Sequence, residues 1–158
     1  MVGAPQLSVK LGELARILKG APGYGFPPDV DPGLDANVNW RTDALAYAKR
    51  YNPEAVIDLA TLTGSAMIAL GRGGAAAVFS EHQPLAQRIM AAGEASGERV
   101  WPMPMYPDYR EWMNSDVADV KNSAGDRYAG VGVSAAFLKE FAEGYPWAHI
   151  DIAPVAFA

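Results

Sequence analysis

Two hydroxyls and a glycine at the end of an apolar run are the residues of this chain best placed to do chemistry. They fall in NPEAVIDLATLTG, residues 52–64, where Ala55 to Leu62 are almost continuously apolar. That pattern predicts a strand covered on both faces. Thr61, Leu62, Thr63 and Gly64 then leave the strand at its carboxyl end, where open α/β sheets place their ligands. Small residues leave room there for a bound side chain, and hydroxyls can hydrogen-bond it. The same residues also fit a plainer role, a strand-to-helix turn in which a threonine caps the next helix. Spacing alone favours the cap and leaves both roles open. Asp58 is the one acid in the run. An unpaired buried carboxylate would neutralise or destabilise the fold, so Asp58 must be hydrogen-bonded or stand at a strand end.

Other chemistry-bearing residues carry less. Asp29, Asp31, Asp35, Asn37 and Asn39 alternate like a calcium loop, but Leu34 and Trp40 stand where an EF-hand needs its turn Gly and its bidentate Glu. A solvated acidic loop fits them better. There are 2 histidines. His82 belongs to a polar turn and should be exposed, while His149, inside WAHIDIA, suits a hydrogen-bonded structural role on a strand. No His-Glu pair has zinc spacing on one helix. Ser65 and Ser134 lie outside any G-x-S-x-G turn. The glycines of LGRGGAA lack both the dinucleotide order and a Walker lysine. Trp101, Tyr106, Tyr109 and Trp112 read as packing residues, and the acids of Ser115–Asn122 as turn residues.

Composition narrows the partners. With 18 acidic against 13 basic residues and a formal net charge of −5, the chain lacks the basic balance that nucleic acid or an anionic membrane requires. It has no cysteine, which removes thiol catalysis, disulfides and cysteine-bound zinc. The start, MVGAPQLSVK, has no signal-peptide pattern, and no apolar run reaches the roughly eighteen residues of a membrane span. A cytoplasmic location is expected.

The elements that must position the turn follow from periodicity. Ser8 to Lys19 carry Leu11, Leu14, Ala15, Ile17 and Leu18 at helical spacing, capped by Ser8 and ended by Gly20. Residues 21–39, crowded with Pro, Gly, Asp and Asn, predict a long loop. A helix capped by Thr42 or Asp43 should run to about Tyr51, before the strand at 55–62. Further on, the pattern predicts helices at 64–71, 84–95 (Leu85, Ile89 and Met90 inward), 108–114 and 134–142 (burying Ala135, Phe137, Leu138 and Phe141). Strands or extended segments are expected at 75–79, 100–105 and 148–153. This alternation predicts an α/β sheet with helices on its faces. Residues 1–40 form a helix and linker, and residues 41–158 the main domain. The last strand runs into an apolar end with no covering helix, which reads as truncation or a subunit contact.

Four blocks in order, NPEAVIDLATLTGSAMIALG, LAQRIMAAGEASGERVWPMPM, DYREWMNSDVADVKN and AGVGVSAAFLKEF with PWAHIDIA, resemble the leucyl aminopeptidase, or cytosol aminopeptidase, family from about Asp43 to Ala153. The resemblance implies a mixed sheet between helices, two divalent metals (manganese or zinc), and release of an amino-terminal residue such as leucine from a peptide substrate. It also implies hexameric assembly. In such chemistry paired metals activate water, polarise the scissile carbonyl and hold the free amine. The family draws their ligands from upstream Lys and Asp residues and from the acids of an NTDAEGR segment. Here the corresponding stretch is LDANVNWRTDAL: Asp35-Ala36 echoes Asp-Ala, but Asn37 replaces Glu and Val38-Asn39 replaces Gly-Arg. No block like the upstream ligand segments precedes it.

The resemblance therefore assigns no catalytic and no metal-binding residue to this chain. It does assign Thr61, Leu62, Thr63 and Gly64 to the wall of the substrate pocket, with the helix start at Gly132 to Ala135 completing it. Two functions follow as expectations. One is a truncated aminopeptidase, inactive alone because the metal ligands are missing. The other is a non-catalytic interaction module that forms homo-oligomers or associates with family members.

Overall fold

The computed structural model describes residues 36–123 and 128–156. The expected helix at Ser8–Lys19 and the acids Asp29, Asp31 and Asp35 of the expected loop lie outside the described residues, whereas Asn37 and Asn39 of that loop are helical. Helix α1 spans Ala36–Ala48 and tightens into a 3-10 turn, Lys49–Tyr51. Asn52 ends it with φ 46°, a left-handed conformation that Asn tolerates better than most residues. Then follow β1 (Val56–Ala60), α2 (Gly64–Leu70), β2 (Ala76–Phe79), α3 (Gln83–Ser96), β3 (Val100–Pro102), α4 (Pro107–Glu111), α5 (Gly130–Lys139), β4 (Trp147–Asp151) and α6 (Ala153–Ala156).

The four strands form one mixed sheet in the order β1-β4-β2-β3. β1 runs parallel to β4, β2 parallel to β3, and β2 antiparallel to β4. The expected α/β fold with a helix-flanked mixed sheet is present. β4 lies inside the sheet, and all five of its residues are buried. Side chains alternate across a strand, so Trp147, His149 and Asp151 share one face while Ala148 and Ile150 share the other. Trp147 packs with Leu45, Met113, Phe137 and Leu138. Ala148 and Ile150 pack with Ala76, Val78, Leu85 and Ile89. Each face thus has its own apolar layer, burial of which drives the fold.

Several elements differ from the periodicity. α1 starts at Ala36, inside the expected 21–39 loop, because no Gly or Pro follows Gly33 to stop a helix growing backward from Thr42. β1 was expected to be covered on both faces, yet Leu59 is 43% exposed. Among the described residues β1 is the last strand of the sheet, and α3 packs on β3 and β4 instead. Met90 is exposed; the inner face of α3 is Leu85, Ala86, Ile89 and Gly93, which places Met90 just beyond the buried stripe. The 108–114 helix is shorter, but turn bonds from Trp112, Met113 and Asn114 to Asp108, Arg110 and Glu111 keep the chain coiled.

α5 begins at Gly130 rather than at 134. Its glycines serve close packing: a Cβ on Gly132 would stand 2.5 Å from the Tyr109 ring. Phe141 is only half-buried. After β4 the chain makes a short helix, α6, where no covering element was expected. Pro154 lies in its first turn, a position that suits proline because its missing N–H has no helical partner there.

Candidate functional site

The turn after β1 is held by a carboxylate from the neighbouring strand. Ala60 and Asp151, the last residues of β1 and β4, are in register. Beyond them the backbone ladder makes one further bond, Ile152 N–H to the Ala60 carbonyl at 2.8 Å. Asp151 then takes over. Its Oδ1 accepts from Leu62 N–H at 3.0 Å and Ala153 N–H at 3.1 Å. Its Oδ2 accepts from Thr63 N–H at 3.0 Å and from the Thr63 hydroxyl at 2.7 Å. The side chain is fully buried, at 0% exposure. Burying a carboxylate is costly unless hydrogen bonds satisfy it, and four donors do so here, with no cationic partner among the described residues.

Thr63 Oγ1 also accepts from Ala66 N–H at 3.0 Å, capping α2. The capping role that spacing suggested thus belongs to Thr63. The other three turn residues have different surroundings. Leu62 packs partly into the core beside Trp147. Thr61 is exposed, and so is Gly64, where an added Cβ would meet nothing within 4 Å. The start of α5 adjoins this region: a Cβ on Gly130 would lie 2.7 Å from Ser65 Oγ. Gly132, Val133 and Ala135, further along α5, are buried.

A second polar group lies on the same face of the sheet. Asp58 of β1 is in register with His149 of β4. Its Oδ1 is 2.6 Å from His149 Nδ1, and its Oδ2 accepts from Trp147 Nε1–H at 2.7 Å. The acid is hydrogen-bonded, as its place in an apolar run required. His149 is 1% exposed, and its ring is near-parallel to those of Phe79 and Trp147, at centroid distances of 6.1 and 6.3 Å. Its Nε2 has no partner among the described residues. His82 is exposed, as expected, and its Nδ1 caps α3 by accepting from Leu85 N–H at 3.2 Å.

Asp151 is the residue that periodicity missed. The signal was present in Trp147-Ala148-His149-Ile150-Asp151: polar or hydrogen-bonding groups recur at every second position of a buried strand, which puts them on one face.

Among the described residues no three His, Asp or Glu side chains converge on a metal-sized site. Asp58 and Asp151 are already engaged by protein donors, so the donors present do not fit a two-metal centre. Neither of two surface clefts includes the turn. One, of about 270 Å³, lies between Glu81, His82, Lys139 and Tyr145; the other, of about 730 Å³, lies between Arg110, Asp119, Lys121 and Phe141. Thr61 and Gly64 are exposed and line neither cleft.

The family model for the cytosol aminopeptidase catalytic domain matches residues 42–158. The chain belongs to the cytosol aminopeptidase family. It is 52% identical over 115 residues to a probable cytosol aminopeptidase of Roseiflexus castenholzii, covering 73% of this chain and 23% of that protein. A probable cytosol aminopeptidase of Chlorobium phaeobacteroides is 53% identical over 117 residues, with the same coverage. One of Syntrophotalea carbinolica is 52% identical over 115 residues. The chain spans under a quarter of the length of these relatives, at 23%. The matched cytosol aminopeptidase segment contains the turn, the Asp58 group and the Asp151 group together. Among the described residues no helix is long and apolar enough to cross a membrane.

Proposed function

We propose that residues 41–158, led in by α1 from Ala36, form the substrate-side wall of an aminopeptidase catalytic domain, that the residues before α1 form a helix and linker, and that this chain alone does not cleave peptides. The reaction concerned is the family's, hydrolytic release of an amino-terminal residue such as leucine, in the cytoplasm. The observation that carries the proposal is the Asp151 anchor. It spends a buried carboxylate on Leu62, Thr63 and Ala153 and leaves Thr61 and Gly64 facing outward. That arrangement suits contact with a ligand's backbone and side chain. It does not suit a Lewis acid, because two adjacent dications need several converging anionic oxygens. The manganese or zinc of the family reaction would require ligands other than the residues described.

The test is direct. Purified chain supplied with manganese or zinc is incubated with leucine p-nitroanilide, and bound metal is measured in parallel. No release of nitroaniline and no stoichiometric metal are expected. Hydrolysis that a chelator abolishes would defeat the proposal.

One observation favours a second role, an interaction module. Leu59 on β1 is 43% exposed and Ile68 on α2 is 88% exposed, and exposed apolar side chains of this size can seek a partner. Light scattering separates the two, since a strictly monomeric chain at high concentration argues against self-association.

A further inference from the structure

We infer that Asp151 is a positioning residue, which sets the shape of the Thr61–Gly64 wall and ties it to the end of β4 and the start of α6. This rests on the substrate-wall role proposed above and goes beyond it, because Asp151 is fully buried behind the turn rather than part of its exposed surface. Locally the turn has the Thr63 cap on Ala66, which engages neither the Leu62 nor the Thr63 N–H. Leu62 and Thr63 lie past the last strand pair, and their N–H groups are taken by a side chain 89 and 88 residues away in sequence. The carboxylate therefore does for the turn what the neighbouring backbone does for β1.

Three features make the grip specific. First, an ionised carboxylate only accepts hydrogen bonds, and among the described residues its partners are all donors: three backbone N–H groups and one hydroxyl. Asparagine would turn an NH₂ group toward donors on one side and lose those bonds. Second, the bonds are shared between elements. Leu62 and Thr63 lead out of β1, Ala153 begins α6, and Thr63 passes the constraint to α2 by capping Ala66. Third, the two exposed wall residues bracket the gripped pair: Thr61 directly precedes Leu62, and Gly64 directly follows Thr63. A change in the grip must therefore move them.

The experiment compares the whole chain with Asp151→Asn by amide hydrogen exchange and by titration with L-leucinamide, both read by NMR. Exchange at Leu62, Thr63 and Ala153 is expected to quicken by at least about tenfold in the variant, while that of β2 amides holds. Leucinamide should shift the Thr61 and Gly64 signals of the unmodified chain, with affinity about tenfold weaker in the variant. A folded variant with unchanged exchange or unchanged affinity overturns the inference and leaves the substrate-wall role standing. If the unmodified chain's Thr61 and Gly64 signals ignore leucinamide, the substrate-wall role fails instead, and exchange alone decides whether Asp151 sets the turn. If Asp151→Asn does not fold, Thr63→Val removes one of the four donors, and Thr63→Ser should restore it. Faster turn exchange in Thr63→Val, reversed in Thr63→Ser, supports the inference; no change in Thr63→Val overturns it.

Discussion

Asp58 and His149 face each other across β1 and β4 with Asp58 Oδ1 2.6 Å from His149 Nδ1, and the second oxygen of the same carboxylate holds the Trp147 indole N–H at 2.7 Å. One acid therefore partners two ring nitrogens on an interior strand. Replacing Asp58 with Ala strands both. Hydrogen bonds to a charged partner contribute about 1.5–3 kcal/mol each, and stranding a buried donor adds a desolvation cost. Asp58 is 23% exposed in its side chain, so water can recover part of the loss. The expected destabilisation of Asp58→Ala is about 2–4 kcal/mol, read as a lower urea midpoint. Asp116, an exposed residue, is the control, and Asp116→Ala should stay within about 0.5 kcal/mol. Equal midpoints for the two variants would show that the Asp58 group carries no structural weight.

Gly64 and Gly132 should respond to alanine in opposite ways. At Gly132 an added Cβ would stand 2.5 Å from the Tyr109 ring, whereas at Gly64 it would meet nothing within 4 Å. Overpacking of this kind costs about 1–3 kcal/mol, so Gly132→Ala should lower the thermal midpoint. Gly64→Ala should leave it unchanged or slightly raised, since Ala is the better helix former at the start of α2. Its effect should appear in ligand contact, because the new methyl occupies open space in front of the wall. The check is leucinamide titration of Gly64→Ala beside a melting curve of each variant. A large drop in the melting point of Gly64→Ala would mean that the turn is more tightly packed than its geometry shows.

How much of this was legible before the fold was known depends on how local the cause was. β2 and α3 were readable because a short apolar run and an i, i+4 stripe report their own burial. The capping role of Thr63 was readable for the same reason, since the cap lies only three residues from the N–H it accepts. The Asp151 grip was not, because its partners lie 88 and 89 residues away and one-dimensional spacing carries no such distance. α1 and α5 began earlier than expected. Asn and Gly are weak helix formers in a helix interior, and Ala129 enters α5 in a left-handed conformation at φ 48°, so spacing placed both starts later than they fall. The exposure of Leu59 was hidden because an apolar run looks the same in an interior strand and in an outer one.

That exposure supplies a further comparison. Leu59 on β1 is 43% exposed, and Leu138 on α5 is 2% exposed. Removing a well-buried leucine costs about 2–5 kcal/mol through lost transfer energy and the cavity left behind. Leu138→Ala should therefore lose that amount in urea unfolding. Leu59→Ala should lose less than about 1 kcal/mol, since much of its side chain already meets water. If the two losses are alike at low protein concentration, Leu59 is covered in solution and β1 is not an outer strand. A Leu59 loss that grows with protein concentration would identify that cover as a second copy.

Tyr145 gives a pH test with a defined sign. Its hydroxyl donates to the Leu45 carbonyl at 2.6 Å, which links β4's approach to α1. Burial, and then the negative charge of Asp58, push its phenol from 10.0 up to about 12. Both causes favour the protonated form in the folded chain, so near pH 11 the unfolded chain has released a proton that the folded chain keeps. Stability from this group is therefore complete below pH 10 and is lost as pH rises through about 12. Tyr51 is also raised, first by its hydrogen bond with Tyr47, so a difference measurement is needed. The phenolate absorbance of the unmodified chain minus that of Tyr145→Phe should show one group ionising near pH 12. The same substitution should flatten the fall in stability above pH 10, while costing about 1 kcal/mol at neutral pH through the lost hydrogen bond. A difference spectrum that titrates near pH 10 instead would mean that the Tyr145 hydroxyl is open to water and that its bond to Leu45 does not persist in solution.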